Sequence, residues 1–488
     1  MKTYYNDFSL LTDLYQLTMA QGYYKFKKNL SVVFDMFFRL TPFKGGYVVF
    51  AGLETLVEYI INFKFSENDL EYLKNLNLFE KEFIDYLHTF RFNVDLYAFD
   101  EGEIVFPHEP IIRVHGNIAE VQLLETILLN IINFQSLIAT KTARMVDAAK
   151  DIPVLEFGIR RAQGFDGALS ASRAAYIGGA AATSNVLAGK LFDIPLKGTM
   201  GHSWIMAFTD ELDSYEKFTQ IYPSQPFVLV DTYDTINVGL PNAIRIFNNL
   251  KIKGISNFGI RIDSGDLELM SKKARSILDQ AGLKQAKIIV SNELDEYIIE
   301  ELINKNSPID FFGVGTRLVT AKGDPALGGV FKLCHKKYND TDSPCLKVTN
   351  ELKKMSNPGI KNILRLYKNN MPLSDYIFLD YEKESILKNA WDKIPLIQFH
   401  PYYDNVFSKI EGYDSAKILL TKVLENGQRI SKLPNIRAIR EKTKTNILNL
   451  DSTYKRLLNP NVYKVSLSQN LKKMKKEIIQ KYSEKYFY

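Results

Sequence analysis

Residues 258–317 read FGIRIDSGDLELMSKKARSILDQAGLKQAKIIVSNELDEYIIEELINKNSPIDFFGVGTR, and this stretch decides the fold. Three short apolar runs, 259–263, 287–291 and 310–314, are separated by two segments, 267–280 and 293–305, whose apolar residues recur at helical spacing. An apolar run, an amphipathic helix and another apolar run make a β-α-β unit, and strands apolar on both faces belong to a parallel sheet covered by helices. Outward from it, further runs at 154–158, 195–198, 227–231 and 330–333, with helix-like segments at 170–192 and 235–250, extend the alternation. This number of units suits a closed or nearly closed β/α barrel.

The flanks differ in texture. Residues 32–39 (VVFDMFFR) are rich in β-formers, Thr41-Pro42 and Gly45-Gly46 punctuate a turn, and 51–63 has helical spacing. A further strand pair is expected at 103–106 and 111–114, separated by Pro107 and Pro110. The expected division is an N-terminal α/β sandwich domain over 1–130, a barrel over 131–345, and C-terminal additions over 346–488 that pack partly on the first domain and end in a basic helical tail.

At 488 residues the chain exceeds what one core usually supports. Its 46% apolar and 24% charged residues exclude wholesale disorder, and a net charge of +6, drawn mostly from the tail, points to neither nucleic acid nor a membrane surface. Lys472, Lys473, Lys475 and Lys476 read as a solvated helix face. Cys334 and Cys345 are too few for a disulfide framework and lack metal-site spacing, which fits a reducing compartment. The first residues carry acidic and polar groups where a secretory signal needs a basic start and an apolar run, so a cytoplasmic protein is expected. The apolar stretch 121–139 is interrupted by Glu125, Asn130, Asn133 and Gln135 and reads as a buried or interface helix.

In barrels of this kind chemistry collects where strands end and loops begin. Nearly every expected strand ends in a polar or glycine-bearing loop: FGIRRAQG (157–164), GTMGHS (198–203), VDTYDT (230–235), RIDSGD (261–266), VSNE (290–293) and GVGTR (313–317). A lone histidine is more often structural, but the small neighbours of His202 let a phosphate approach its imidazole, and its place on this rim favours a reactive role. Arg261 and Asp263 fall on one side of an extended segment, presenting a cation and a hydroxyl acceptor to one ligand. Asp266 suits a helix cap or an outer contact to Mg²⁺. Gly315, Thr316 and Arg317 offer backbone N–H groups, a hydroxyl and a guanidinium to a phosphate, and Ser291-Asn292 extends that surface. Phe157 with Arg160 or Arg161 suits a planar aromatic carboxylate, stacked and held by a guanidinium. Asp231 and Asp234 are further rim acids, either of which could orient the histidine.

TDLYQLTMAQGY (12–23), FDMFFRLTPFKGGYVVFAGL (34–53), EFGIRRAQGFDGALSASRAAYIGGAAATSNVLAG (156–189), GTMGHSW (198–204), RIDSGDL (261–267) and GVGTRLVT (313–320) closely resemble, in order, the motifs of nicotinate phosphoribosyltransferases. The resemblance runs to about residue 332 and implies an irregular β/α barrel of the type II phosphoribosyltransferase kind, with the N-terminal α/β domain and C-terminal additions. It implies formation of nicotinate mononucleotide and pyrophosphate from nicotinate and phosphoribosyl pyrophosphate, the first step of NAD biosynthesis by nicotinate salvage, with Mg²⁺ as cofactor and ATP hydrolysed through a phosphohistidine at His202. By the same resemblance Asp231 orients His202, Arg261 and Asp263 bind the ribose phosphate, and Gly315, Thr316 and Arg317 belong to the 5′-phosphate site. Phe157 and Arg160 hold nicotinate. Ser184 and Asn185 stand where nicotinamide-specific relatives carry an acid, and neutral residues there favour a carboxylate substrate. Tyr15 resembles an aromatic given to the site by a neighbouring subunit, which implies a homodimer with shared active sites. The rival readings are a nicotinamide phosphoribosyltransferase, a quinolinate phosphoribosyltransferase, against which GTMGHSW speaks, and a non-catalytic ligand-binding barrel.

Overall fold

The computed structural model describes residues 8–487 apart from 340, 350, 352, 353 and 404. The chain forms two compact units, Met1–Leu137 with Ala326–Tyr488, and Ile138–Pro325.

In the second unit six strands form one parallel sheet, in the spatial order Ala182–Thr183, Val154–Glu156, Phe311–Val314, Lys287–Ser291, Gly259–Ile262 and Phe227–Leu229. Val154, Ile260, Ile262, Ile288, Val290, Phe312 and Val314 are buried, as strands covered on both faces must be. Among the described residues the outer strands of this irregular barrel do not pair with each other. The helices between strands begin at side-chain caps. Asp266 accepts from Leu269 N at 2.9 Å, and Asp295 accepts from Tyr297 N at 3.1 Å and Ile298 N at 3.0 Å, satisfying amides that the helix itself leaves unpaired. Asp266 is thus a cap.

Three readings of the barrel's local structure change. The run at 195–198 is not a strand; it contributes a single bridge from Leu196 to Thr183. The helix expected over 170–192 is two, Gly164–Ile177 and Val186–Phe192, flanking the Ala182–Thr183 strand. Gly178 and Gly179 end the first: Gly179 has φ +111°, and a Cβ on Gly178 would lie 2.3 Å from the Ala139 carbonyl oxygen, so larger residues cannot continue the helix there. The run at 330–333 lies in the Gly329–Tyr338 strand of the first unit, antiparallel to Ser31–Phe38. A short apolar run does not reveal its sheet.

The first unit holds an antiparallel seven-stranded sheet in the order Thr341–Pro344, Gly329–Tyr338, Ser31–Phe38, Ile112–Asn117, Asp95–Ala98, Thr421–Glu425 and Gln428–Arg429. A six-stranded mixed sheet contains Lys361–Lys368, Met371–Leu379 and Val465–Leu467. The strands expected at 103–106 and 111–114 exist but do not pair with each other: Ile104–Val105 pairs with Val48–Val49, and Ile112–Asn117 enters the larger sheet. No described helix is long and apolar enough to cross a membrane.

Candidate active site

Parallel pairing brings the C-terminal ends of the strands to one rim, because Glu156 lies opposite Val314, Gly313 opposite Ser291 and Ile262 opposite Val290. A cavity of about 410 Å³ opens there. Its wall includes Phe157, Arg160, Arg161, Ser184, Thr199, Arg261, Asp263, Ser291, Asn292, Glu293, Gly315 and Thr316. The loop after the first strand is pinned from below by Glu156, whose fully buried carboxylate accepts from Gly158 N, from Ser172 Oγ at 3.0 Å and from Thr183 Oγ1. Two glycines let this loop sit close: a Cβ on Gly158 would fall 2.4 Å from Val319 Cγ1, and one on Gly313 would fall 2.9 Å from the Phe157 ring.

Arg261 is the centre of the polar network. Its Nε donates to Ser291 Oγ at 2.9 Å, Nη1 to Thr199 Oγ1 at 3.2 Å and Nη2 to Asp263 Oδ1 at 2.9 Å, while its guanidinium lies 5.9 Å from the centre of the Phe157 ring. Asp263 Oδ1 also accepts from Ser291 Oγ. The side chains of Arg160 and Arg161, by contrast, are exposed and have no hydrogen-bonding or ionic partner among the described residues. Two unneutralised guanidinium groups at the mouth of a polar cavity favour an anionic ligand, and their planar forks match carboxylate and phosphate. Asn292 and Glu293, which also line the cavity, hold successive left-handed conformations, φ +92° and +45°, a strain that side chains other than glycine adopt only when their surroundings enforce it.

His202 begins the short helix His202–Met206. Its Nδ1 lies 3.1 Å from Thr232 Oγ1, and its Nε2 faces Asp263 Oδ2 at 3.9 Å. Asp231 Oδ2 accepts from Asp263 N at 2.8 Å and Ser264 Oγ at 2.6 Å, whereas its Oδ1 is buried with no hydrogen-bond partner. Asp234 caps the following turn, and bonds from the Asn237 backbone and side chain hold its carboxyl below the usual range against a small opposing effect of burial. Among the described residues no three His, Cys, Asp or Glu side chains gather as a ready-made metal cage. The orphaned Asp231 oxygen and the neighbouring Asp263 carboxylate do fit Mg²⁺, which is commonly held by one or two carboxylates together with substrate phosphates.

A model of the nicotinate phosphoribosyltransferase (NAPRTase) family matches residues 152–347, and models of the N-terminal and C-terminal domains of that enzyme match residues 10–133 and 360–475. The chain is 41% identical to nicotinate phosphoribosyltransferase of Bacillus subtilis (strain 168) over 465 residues, 95% of this chain and 93% of that one. It belongs to the nicotinate phosphoribosyltransferase family. The Caenorhabditis elegans nicotinate phosphoribosyltransferase is 34% identical over 95% of this chain and 92% of its own. The crystal structure of human nicotinic acid phosphoribosyltransferase superposes with a TM-score of 0.82 at 28% identity, covering 96% of this chain and 99% of that one.

Of the residues expected at this family's site, Phe157, Arg160, Ser184, Arg261, Asp263, Gly315 and Thr316 line one cavity. Five others do not line it; His202 directly follows the lining residue Gly201, and four lie elsewhere. Asp231, expected to orient His202, has no hydrogen bond to its ring: its Oδ2 accepts from the Asp263–Ser264 turn and its Oδ1 is buried without a partner. Arg317, expected at a phosphate, pairs with Glu293 at 3.1 Å and with Asp295, and does not line the cavity. Asn185 is buried and caps the Val186–Phe192 helix, accepting from Ala188 N at 3.2 Å and donating to Ser172 Oγ at 3.1 Å. Tyr15 is exposed on the Leu14–Phe26 helix of the first unit; burial, with Glu125 and Asp13 beside it, raises its hydroxyl pKa. Sequence reasoning missed Glu156, Thr199, Thr232 and Glu293. Thr199 and Thr232 sit inside rim loops read for other residues, and Glu156 immediately precedes one. The signal that could have found them was position on the rim.

Proposed function

We propose that the Ile138–Pro325 unit transfers the phosphoribosyl group of phosphoribosyl pyrophosphate to the ring nitrogen of nicotinate, releasing pyrophosphate, and that ATP hydrolysis through a phosphohistidine at His202 drives the reaction. The observation that carries this reading is the single cavity that gathers Phe157, Arg160, Arg261, Asp263, Gly315 and Thr316 beside His202, in a chain of this family. Phe157 and Arg160 hold the flat carboxylate substrate. Ser184 keeps that region free of an acid that would repel it. Arg261 and Asp263 hold the ribose phosphate, and Gly315 and Thr316 present backbone N–H groups to the 5′-phosphate.

The nitrogen lone pair bonds to ribose C1 as the bond to pyrophosphate breaks and the leaving oxygens take the electron pair. Charge therefore builds on the leaving group, and Arg261 stabilises it from a fixed position. Mg²⁺, held by Asp231 and Asp263, would neutralise phosphate charge. The proposal includes a homodimer in which Tyr15 of a second copy completes the nicotinate site, and a cytoplasmic location, consistent with two free thiols.

The test is a product assay with nicotinate, phosphoribosyl pyrophosphate and Mg²⁺, with and without ATP, repeated with nicotinamide. Nicotinate mononucleotide formed faster with ATP is the expected result; equal use of nicotinamide, or tight binding without product, overturns it. Labelled ATP should leave an acid-labile phosphoprotein in the wild type and none in His202→Ala.

A further inference from the structure

The partner of the His202 ring is a hydroxyl. Thr232 Oγ1 lies 3.1 Å from Nδ1, and no described side chain reaches hydrogen-bond distance of Nε2, the nearest being Asp263 Oδ2 at 3.9 Å. Arg261 at 2.9 Å and Ser291 both engage Asp263 through Oδ1, the oxygen turned away from the His202 contact. The neighbouring acid, Asp231, accepts from Asp263 N and Ser264 Oγ through Oδ2, and neither of its oxygens is hydrogen-bonded to the ring. Thr232 has no second hydrogen-bond partner among the described residues, so its Oγ1 is free to accept from the ring while its own hydrogen turns away.

We infer that Thr232 is a positioning residue that places the ring proton of His202 on Nδ1 and leaves the Nε2 lone pair open at the rim. A neutral imidazole carries one proton, and the nitrogen with an acceptor in reach keeps it. With Nδ1–H donated to Thr232 Oγ1, Nε2 is unprotonated and faces the side of the ring on which Asp263 stands. A carboxylate partner would fix the same tautomer but would add a negative charge beside an incoming phosphate. A hydroxyl can accept from Nδ1–H without that charge.

This inference rests on the phosphohistidine reading for its consequence. When Nε2 attacks the γ-phosphorus of ATP, the N–P bond forms as the P–O bond to ADP breaks, and the ADP oxygen leaves with the electron pair. No proton has to leave the ring first. Nδ1 retains its hydrogen, the ring carries the positive charge created by the new bond, and Thr232 Oγ1 remains an acceptor for it.

The test uses the full-length protein as wild type, Thr232→Val and Thr232→Ser. The tautomer of His202 is read from the ¹³Cδ2 shift of ¹³C-labelled histidine, assigned with His202→Ala, and phosphohistidine formation is followed with labelled ATP. The wild type should show the Nδ1–H form. Thr232→Val should move the ring toward Nε2–H and slow labelling about tenfold to a hundredfold, the usual cost of losing a group that orients a histidine. Thr232→Ser should restore both, which a loss of packing alone would not allow. The inference is overturned if the wild type is Nε2–H, or if Thr232→Val leaves tautomer and labelling unchanged. Absence of label in the wild type would instead defeat the phosphohistidine reading, while the tautomer result still decides the role of Thr232.

Discussion

The rim cavity and the interior of the first unit both concentrate charge, and they treat it in opposite ways. In the first unit Arg365 is sealed from water, with Nε and Nη2 on Asp375 at 2.8 and 2.6 Å, Glu103 and Glu109 at 3.7 and 3.8 Å, and Tyr463 donating to Asp375 at 2.9 Å. Lys417 and Lys442 close the far side of Glu103 at 2.7 and 3.0 Å, and the Phe106 and Tyr463 rings stack at 3.6 Å. These groups come from both the early and the late parts of the chain and fasten them together. At the rim, Arg160 and Arg161 are exposed and unpaired, and one Asp231 oxygen has no partner. Charge that is matched within the protein holds structure; charge left unmatched around a cavity awaits a ligand.

That contrast predicts opposite failures. Asp375→Ala leaves the Arg365 guanidinium buried without its principal counter-charge, and removing one partner of a buried pair costs about 3–5 kcal/mol. Urea denaturation should show that loss, with any remaining folded protein retaining its substrate affinities. Arg261→Gln should do the reverse. Its pair with Asp263 is partly solvated, so stability should fall by less than about 1 kcal/mol, while kcat/KM falls about 10²- to 10³-fold, the usual loss for a fixed donor to developing charge. If Arg261→Gln unfolds the protein instead, the rim is a structural ion-pair network and the comparison fails.

The two regions were also unequally legible in the sequence. Apolar runs alternating with helical periods sufficed to place the parallel sheet, and strand ends in such a sheet necessarily share a rim, so Phe157, Arg261, Asp263 and Thr316 could be gathered from spacing alone. Roles within the rim depended on distances between loops that spacing does not encode. Arg317 is taken by Glu293 and Asp295, and Asp231 by the Asp263–Ser264 turn, pairings settled by how neighbouring strands register. The Gly329–Tyr338 strand was misplaced because its apolar run fits either sheet. The Arg365 cluster was invisible: Arg365 and Asp375 are cross-strand partners, but an isolated arginine and aspartate ordinarily read as surface residues.

The smallest expected effect tests how completely the buried cluster is matched. Burial pushes the Glu109 carboxyl pKa well above its ordinary 4.5, and nearby Asp375 pushes it further, against the opposing pull of Arg365 and the Phe106 N–H. Burial and Asp375 thus both favour the neutral form of the Glu109 carboxyl. A group whose folded pKa is raised stabilises the fold fully below its unfolded value, and that contribution is lost as pH rises through the folded value. Glu109→Gln, which keeps the shape and a donor without the titration, should change stability by within about 1 kcal/mol near neutral pH. Measured by thermal denaturation across pH, the wild type's advantage over Glu109→Gln should shrink steadily as the pH is raised from the acid side. Parallel profiles, or a large loss in the variant at neutral pH, would mean that Glu109 is ionised and that Arg365 needs its charge besides those of Asp375 and Glu103.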